Sequence, residues 1–250
     1  LNYNWNWGIF WELSPDATGT YLATLLQGLR WTVATGLSAW VIALLLGLVV
    51  GTLRTVPSRR IVMLANGYVE LFRNVPLLVQ MFLWFFVVPE LLPVAWGTWI
   101  KQMPNASFWT AVVALAFFTS ARVAEQVKAG IQSQPRGQLM AATALGMTLS
   151  QSYRHVLLPM AVRLILPPLT SEFMNVLKNS AVALTIGLME LTAQARSMQE
   201  FSFQVFEAFT AATLLYLLMN LVVVLGMRAV ERALAVPGFT GNRTSASATH

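Results

Sequence analysis

An all-α polytopic membrane protein is the fold class that this 250-residue chain predicts, from its composition, its long uncharged runs and the placement of its basic residues. Hydrophobic residues make up 56% and charged residues only 10%, against roughly 25% charged in an ordinary soluble domain. Mean hydropathy is +0.62. Helices crossing a hydrocarbon layer of about 30 Å need roughly 20 apolar residues each, so the chain holds about five or six at most. The absence of cysteine removes disulfides, thiolate nucleophiles and thiolate metal sites, and His155 and His250 form no local pair for zinc or haem. Basic residues flanking apolar runs are topology signals rather than a nucleic-acid stripe.

Five spans are expected, at 22–53, 61–88, 107–128, 156–178 and 208–228, after a Trp-rich segment at 1–20 and before a polar, Ser/Thr/Ala-rich and disordered tail at 236–250. The first is uncharged over 31–53 and closes on Arg54, Pro57, Arg59 and Arg60; Gly47 and Gly51, four apart, form a close-packing face. The second carries Glu70 and Arg73 in its first half and ends at Pro89-Glu90. The third is uncharged until Arg122. The fourth is interrupted by Pro159, Pro167, Pro168, Glu172 and Lys178, which predicts a broken or proline-kinked span. The fifth is cleanly apolar, with Asn220 expected to hydrogen-bond between helices.

Lys and Arg are retained on the cytoplasmic side in short loops. With the N-terminus outside, the inner segments collect Arg54, Arg59, Arg60, Lys128, Arg136, Arg154, Arg228, Arg232 and Arg243 against Glu231 alone. Glu12, Asp16, Glu90, Glu190, Glu200 and Glu207 then lie outside against Lys101 and Arg196. Trp5, Trp7, Trp11, Trp96, Trp99 and Trp109 fall at the outer interface, where indole rings serve as anchors rather than ligand cages. No basic region followed by a short apolar core and a small-residue cleavage site marks a signal peptide.

The inner connection at 129–158 is a structured loop. Residues 138–145 are good helix formers, Gly146 suits a left-handed stop, and Thr148 to Gln151 has the form of a capping box. Residues 138–151 contain no Lys or Arg, so this helical hairpin suits a protein groove better than a bilayer surface. His155, beside Arg154, is an interfacial residue rather than a proton relay.

Met140-Ala141-Ala142, then Gly146, then Val156-Leu157-Leu158-Pro159 resembles the E-A-A-x3-G-x9-I-x-L-P loop of ABC importer permeases. Met140 replaces the usual Glu and Val156 the usual Ile. Glu70-Leu-Phe-Arg73-Asn74-Val-Pro76-Leu-Leu-Val-Gln80 resembles the E-x-x-R-x-x-P-L-L-V-Q signature of the polar amino acid permeases, and residues 131–138, ending in Gln138, resemble the lead-in to their loop. With the WNWGIF segment and Lys178-Asn179-Ser180-Ala181, the chain is most similar to the glutamate/aspartate branch of that family.

The resemblance implies a type I ABC importer permease fold in a bacterial inner membrane and a subunit that pairs with a second, similar permease. Two ATP-hydrolysing subunits dock below and a periplasmic solute-binding protein delivers substrate above. Gln138, Met140, Ala141, Ala142, Gly146, Leu158 and Pro159 would couple to the ATPase. The chain has no G-x-x-x-x-G-K-[ST], so ATP is expected to be used by a partner and no cofactor by this chain, which is a transport subunit and not an enzyme.

Charge within a span is expensive and normally faces a cavity or a partner. Arg122 and Glu125 are three apart, as are Glu70 and Arg73, so each pair shares a helix face. Glu70 and Arg73 read best as a network holding helices together. Many polar amino acid permeases show A-Y-x-x-E where this chain has Ala121-Arg122-Val-Ala-Glu125. The added guanidinium fits a carboxylate-bearing substrate, the alternative being an Arg paired internally with Glu125. Lys178, Asn179 and Ser180 add a cation and small polar groups, with Glu172 a candidate to neutralise Lys178. The candidate substrate-binding set is Arg122, Glu125, Arg73, Asn74, Gln80, Lys178, Asn179 and Ser180. The expected function is import of acidic amino acids. The alternatives are the same importer class acting on a neutral or basic amino acid, and an ion-coupled secondary transporter, which would usually show internal repeats not found here. An intramembrane serine protease lacks a G-x-S-x-G elbow and a paired base.

Overall fold

The computed structural model describes residues 3–15 and 19–234. The expected tail at 236–250, with Arg243 and His250, lies outside them, as does Asp16. The described residues form helices joined by short turns, with one isolated antiparallel bridge between Leu13 and Thr20. In order these are a 3₁₀ turn at Trp7–Trp11, α1 (Tyr21–Leu53), α2 (Arg59–Asn74), α3 (Leu77–Phe82), a π turn (Leu83–Val87), α4 (Val88–Leu91), α5 (Val94–Gln102) and α6 (Ala106–Gln132). After them come α7 (Arg136–Ala144), α8 (Leu149–Ser152), a second π turn (Tyr153–Leu157), α9 (Leu158–Asn179), a 3₁₀ turn (Ser180–Ile186), α10 (Leu191–Ser202) and α11 (Val205–Leu234).

The core lies where α1, α6 and α9 meet, around buried Ala39, Trp40, Leu115, Val123, Ile165 and Val176. The α1–α6 contact depends on the absence of side chains at Gly47 and Gly51: a Cβ there would stand 2.5 Å from Val123 and 2.6 Å from Val127. Backbones thus approach closely, and packing between helices in lipid comes from such van der Waals contact. On the opposite side α11 presents Leu214, Leu217, Leu218, Leu221, Val222 and Leu225, all exposed, as an apolar stripe suited to acyl chains.

Among the described residues four helical stretches are long and apolar enough to cross a membrane: Tyr21–Leu53, Ala106–Gln132, Leu149–Ile186 and Val205–Leu234. A fifth crossing requires α2 and the Leu77–Leu91 stretch together, and these are bent by 101°. The second and fourth expected spans are shaped differently from their expectations. The second, expected as one span at 61–88, breaks at Val75-Pro76, where Val75 is extended at φ −92° and ψ 126°, as the residue before proline prefers. Pro76 has no N–H to give the Phe72 carbonyl four residues back. Gln80 Nε2 supplies that donor, to Phe72 O and to Val75 O, both at 2.9 Å. The fourth, expected as a broken or proline-kinked span, is helical from Leu149 to Ile186, with Pro167 and Pro168 inside α9. Pro159 sits at the start of α9, directly after the widened π turn, and α9 runs unbroken to the 3₁₀ turn after Asn179.

Helices α5 and α10 were not anticipated. Glu190 explains the second: its carboxylate accepts from Thr192 N at 2.9 Å and Ala193 N at 2.8 Å, capping α10. Asn220 does not bridge helices; its amide donates to Tyr216 O in its own helix at 2.9 Å.

Candidate functional site

Helix α2 packs against α6. Tyr68 reaches the Ser120 hydroxyl at 2.6 Å, and buried Val69 packs with Ala121 and Ala124. This packing brings Arg73 to Glu125 at 2.7 Å, while Arg54, at the end of α1, reaches the same carboxylate oxygen at 3.0 Å. Arg54 is the buried arm, its side chain 5% exposed, and it also donates through Nε to Asn66 at 2.8 Å. Arg73 is the open arm, at 47% exposed. Glu125 thus ties together α1, α2 and α6, and the alternative in which Arg122 pairs internally with Glu125 is not the arrangement found. The reason is competition: two guanidinium groups from other helices already occupy its carboxylate. Glu70 does not bond Arg73 either; it accepts from the Asn74 amide at 2.9 Å.

Arg122 faces the other way. Its guanidinium lies 5.2 Å from the centre of the Phe118 ring, a cation–π placement. Its Nη1 approaches Glu172 Oε2 of α9 at 3.8 Å, too far for a hydrogen bond. Arg122 is 41% exposed and Glu172 14%. Glu172 was expected to neutralise Lys178; it pairs with Arg122 because α9 packs along α6 with Glu172 on the facing side. Lys178 is exposed and makes no ion pair among the described residues. Asn179 is half-buried.

Two candidate ligands are turned inward. Buried Ser180 donates its hydroxyl to Leu177 O at 2.7 Å, closing the end of α9. Gln80, 3% exposed, is committed to the break before α3. Both hold backbone rather than face an opening. Arg122, Lys178 and Asn179, with the open arm of Arg73 and the exposed Asn74, remain accessible.

The connection between α6 and α9 is a helical hairpin. Gly146 takes the left-handed conformation at φ +79°, where glycine carries no Cβ penalty. Thr148 and Gln151 make both bonds of the capping box, at 2.8 and 3.3 Å. An open groove of about 540 Å³ lies between α7 and the start of α9, with Gln138, Ala141, Ala142, Val156 and Pro159 on its walls. Ala142 is buried, Leu158 half-buried, and Met140 is 65% exposed. His155 is exposed on the rim of this groove.

A third cluster escaped sequence reasoning. Glu190 is fully buried and, beyond its cap, accepts from Thr32 of α1 at 3.3 Å and Tyr216 of α11 at 3.1 Å. Burial pushes its carboxyl above the ordinary range, against the opposing pull of these donors. Glu207, also fully buried, accepts from Asn6 N at 2.8 Å and from the Tyr3 hydroxyl, fastening the N-terminal segment to α11. A Glu two residues before Thr192 at a helix start is a capping signal that could have found the first; nothing local marks the second. Among the described residues no group of three or more His, Cys, Asp or Glu is placed to hold a metal ion.

The residues 43–236, which hold α2, α6, α9 and the hairpin, match the family model described as binding-protein-dependent transport system inner membrane component. The chain belongs to this family. Within it, the chain is 50% identical over 246 residues to the glutamate/aspartate import permease protein GltJ of Escherichia coli (strain K12), covering 97% of this chain and 100% of that one. It is 32% identical to the arginine transport system permease protein ArtQ of Bacillus subtilis (strain 168), over 89% of this chain and 98% of the other. Among solved structures, a crystal structure of an amino acid ABC transporter with histidines matches with a TM-score of 0.72 and 33% identity, over 85% of this chain and 95% of that one. The MetNI methionine ABC transporter, in an inward-facing conformation, shares the fold with a TM-score of 0.69 at 19% identity, over 90% of this chain and all of its own. The type I ABC importer permease fold expected from the loop motif is the fold of this family member.

Proposed function

We propose that this permease is the membrane subunit of an ATP-driven importer of glutamate and aspartate, with its N-terminus periplasmic and its C-terminus cytoplasmic. The reading rests foremost on the end-to-end likeness, at 50% identity, to an Escherichia coli permease named for those substrates. Arg122 supplies the chemistry. It is a fixed, partly exposed cation, held by Glu172 at a distance that leaves its donors free to form a bidentate pair with a substrate carboxylate. Lys178 and Asn179 lie farther along α9 as further polar contacts.

Glu70, Arg73 and Lys178 are exposed within the membrane spans, which supports a second, similar permease packed against this chain, with a water-filled path between them. The hairpin, which has no Lys or Arg over 138–151, suits an ATP-binding subunit, and Gln138, Met140, Ala141, Ala142, Gly146, Leu158 and Pro159 are its contacts. ATP is consumed there, and this chain needs no cofactor. A periplasmic solute-binding protein delivers the amino acid to the opposite face.

The deciding measurement is substrate-stimulated ATP hydrolysis by the reconstituted assembly across a panel of acidic, amide, neutral and basic amino acids. Stimulation by glutamate and aspartate is expected. Stimulation by basic or neutral amino acids alone overturns the acidic assignment, and hydrolysis unaffected by any of them overturns the importer reading.

A further inference from the structure

Helix α6 leads at Gln132 into the coupling hairpin, so its other end, at Ala106, lies at the opposite membrane face. There α4 and α5 fold back toward α6 and leave a cavity of about 200 Å³. Phe85, Phe86, Pro89 and Ile100 make its apolar walls, and Glu90 and Lys101 its charged mouth. The π turn at Leu83–Val87 turns both phenylalanines to the cavity; such turns inside helices recur at functional positions. Lys101 Nζ pairs with Glu90 Oε1, and the side chains are 48% and 67% exposed. A solvated pair of this kind contributes little to stability and opens readily. Trp96 and Trp99 on α5 are 64% and 59% exposed, and indole rings favour the headgroup layer.

We propose that this cavity binds the headgroup of a phospholipid bearing a primary ammonium, the ethanolamine class, from the leaflet opposite the coupling hairpin. The Glu90–Lys101 pair exchanges partners: Lys101 takes the phosphate and Glu90 accepts from the ammonium, so one ion pair becomes two. The acyl chains run over Phe86, Leu83 and Val87, all exposed. The opposite charges select among headgroups. A choline nitrogen has no N–H to give Glu90, and a glycerol headgroup leaves the carboxylate without a cationic partner beside an anionic phosphate. The volume admits a headgroup and not a whole drug-sized ligand, whose pockets run from about 300 Å³ upward.

The test uses the assembled transporter in nanodiscs containing equal parts of ethanolamine, choline and glycerol phospholipids of matched acyl chains, with retained lipid read by native mass spectrometry. At least a threefold preference for the ethanolamine lipid is expected, and Glu90→Gln and Lys101→Gln should each abolish it. Ala106→Phe, which fills the cavity and leaves both charges, should lower ethanolamine retention by a similar factor. Equal retention of the three headgroups by the wild type overturns the proposal, as does a preference that survives all three substitutions. Loss of every phospholipid in Lys101→Gln with no change in Glu90→Gln shows a phosphate contact only and overturns the ethanolamine assignment.

Discussion

With Glu172 rather than Glu125 as its ionic partner, Arg122 has to be separated from the carboxylate that holds it. Arg122→Ala should lower glutamate uptake at least tenfold, since it removes the guanidinium fork offered to the substrate carboxylate. That loss alone fits a purely structural pair as well. The double variant Arg122→Ala with Glu172→Gln distinguishes the two: a structural pair is rescued when both charges go, whereas a carboxylate-binding Arg122 leaves the transporter dead for glutamate and aspartate. Near-wild-type uptake at normal membrane levels would return Arg122 to a structural role. Glu190 offers a second test, by pH. Its folded-state pKa is raised by burial, so the folded chain holds the proton more tightly than the unfolded one. Its contribution is greatest below the unfolded carboxylate value of about 4.3 and is lost as pH rises through the folded value. Glu190→Gln mimics the protonated form, and the hydroxyls of Thr32 and Tyr216 can turn to accept from its amide. The melting temperature of this variant should therefore gain on the wild type as pH is raised from 5 to 8. A gap independent of pH would show that Glu190 ionises in the fold as freely as in water.

The hairpin between α6 and α9 behaves as a separate unit with its own requirements. A Cβ at Gly146 meets nothing within 4 Å in the chain, so the only internal cost is the positive φ of 79°, about 1–2 kcal/mol for an L-residue. Any larger effect of Gly146→Asp comes from what docks there. That variant should still insert in the membrane at wild-type levels and lose most substrate-stimulated ATP hydrolysis; normal coupling would remove the hairpin from the ATPase contact. The close approach of α1 and α6 makes a complementary demand. Gly51→Leu must displace Val127 and the Ala124 carbonyl, 2.6 and 2.8 Å from the new Cβ, and overpacking of this sort costs about 1–3 kcal/mol. Its signature is a lowered melting temperature with residual coupling intact, the opposite pattern to Gly146→Asp.

Taken alone, the chain exposes Glu70, Arg73, Arg122 and Lys178 within its membrane spans. A charge near the bilayer centre costs on the order of 2.5–3.5 kcal/mol on insertion scales. Expressed without a second permease subunit it should be degraded or low in abundance, and coexpression should restore it. Stable, active homodimers of this chain would refute the requirement for a different partner and leave the family assignment untouched.

Local signals in the chain were enough for the helical class, the long helices of the first, third and fifth expected spans, the capping box at Thr148 and the glycine stop at Gly146. Each depends on groups within about four residues of one another or on one unbroken apolar run. The loop motif and the Glu70–Gln80 motif carried the family for the same reason: they are contiguous. Charge partners were not legible, because a carboxylate's choice among cations depends on which helices meet. Glu125 lies three residues from Arg122 and still bonds Arg54 and Arg73. The prolines misled in the same way. A proline removes one donor wherever it stands, but whether the helix bends depends on what satisfies the freed carbonyl. Before Pro76 the chain turns through 101°, and Gln80 caps the opening; at Pro167 and Pro168 the helix continues. Tertiary packing made that difference, because the buried contacts of Ile165, Leu166 and Leu169 hold α9 against its neighbours on both sides of the prolines.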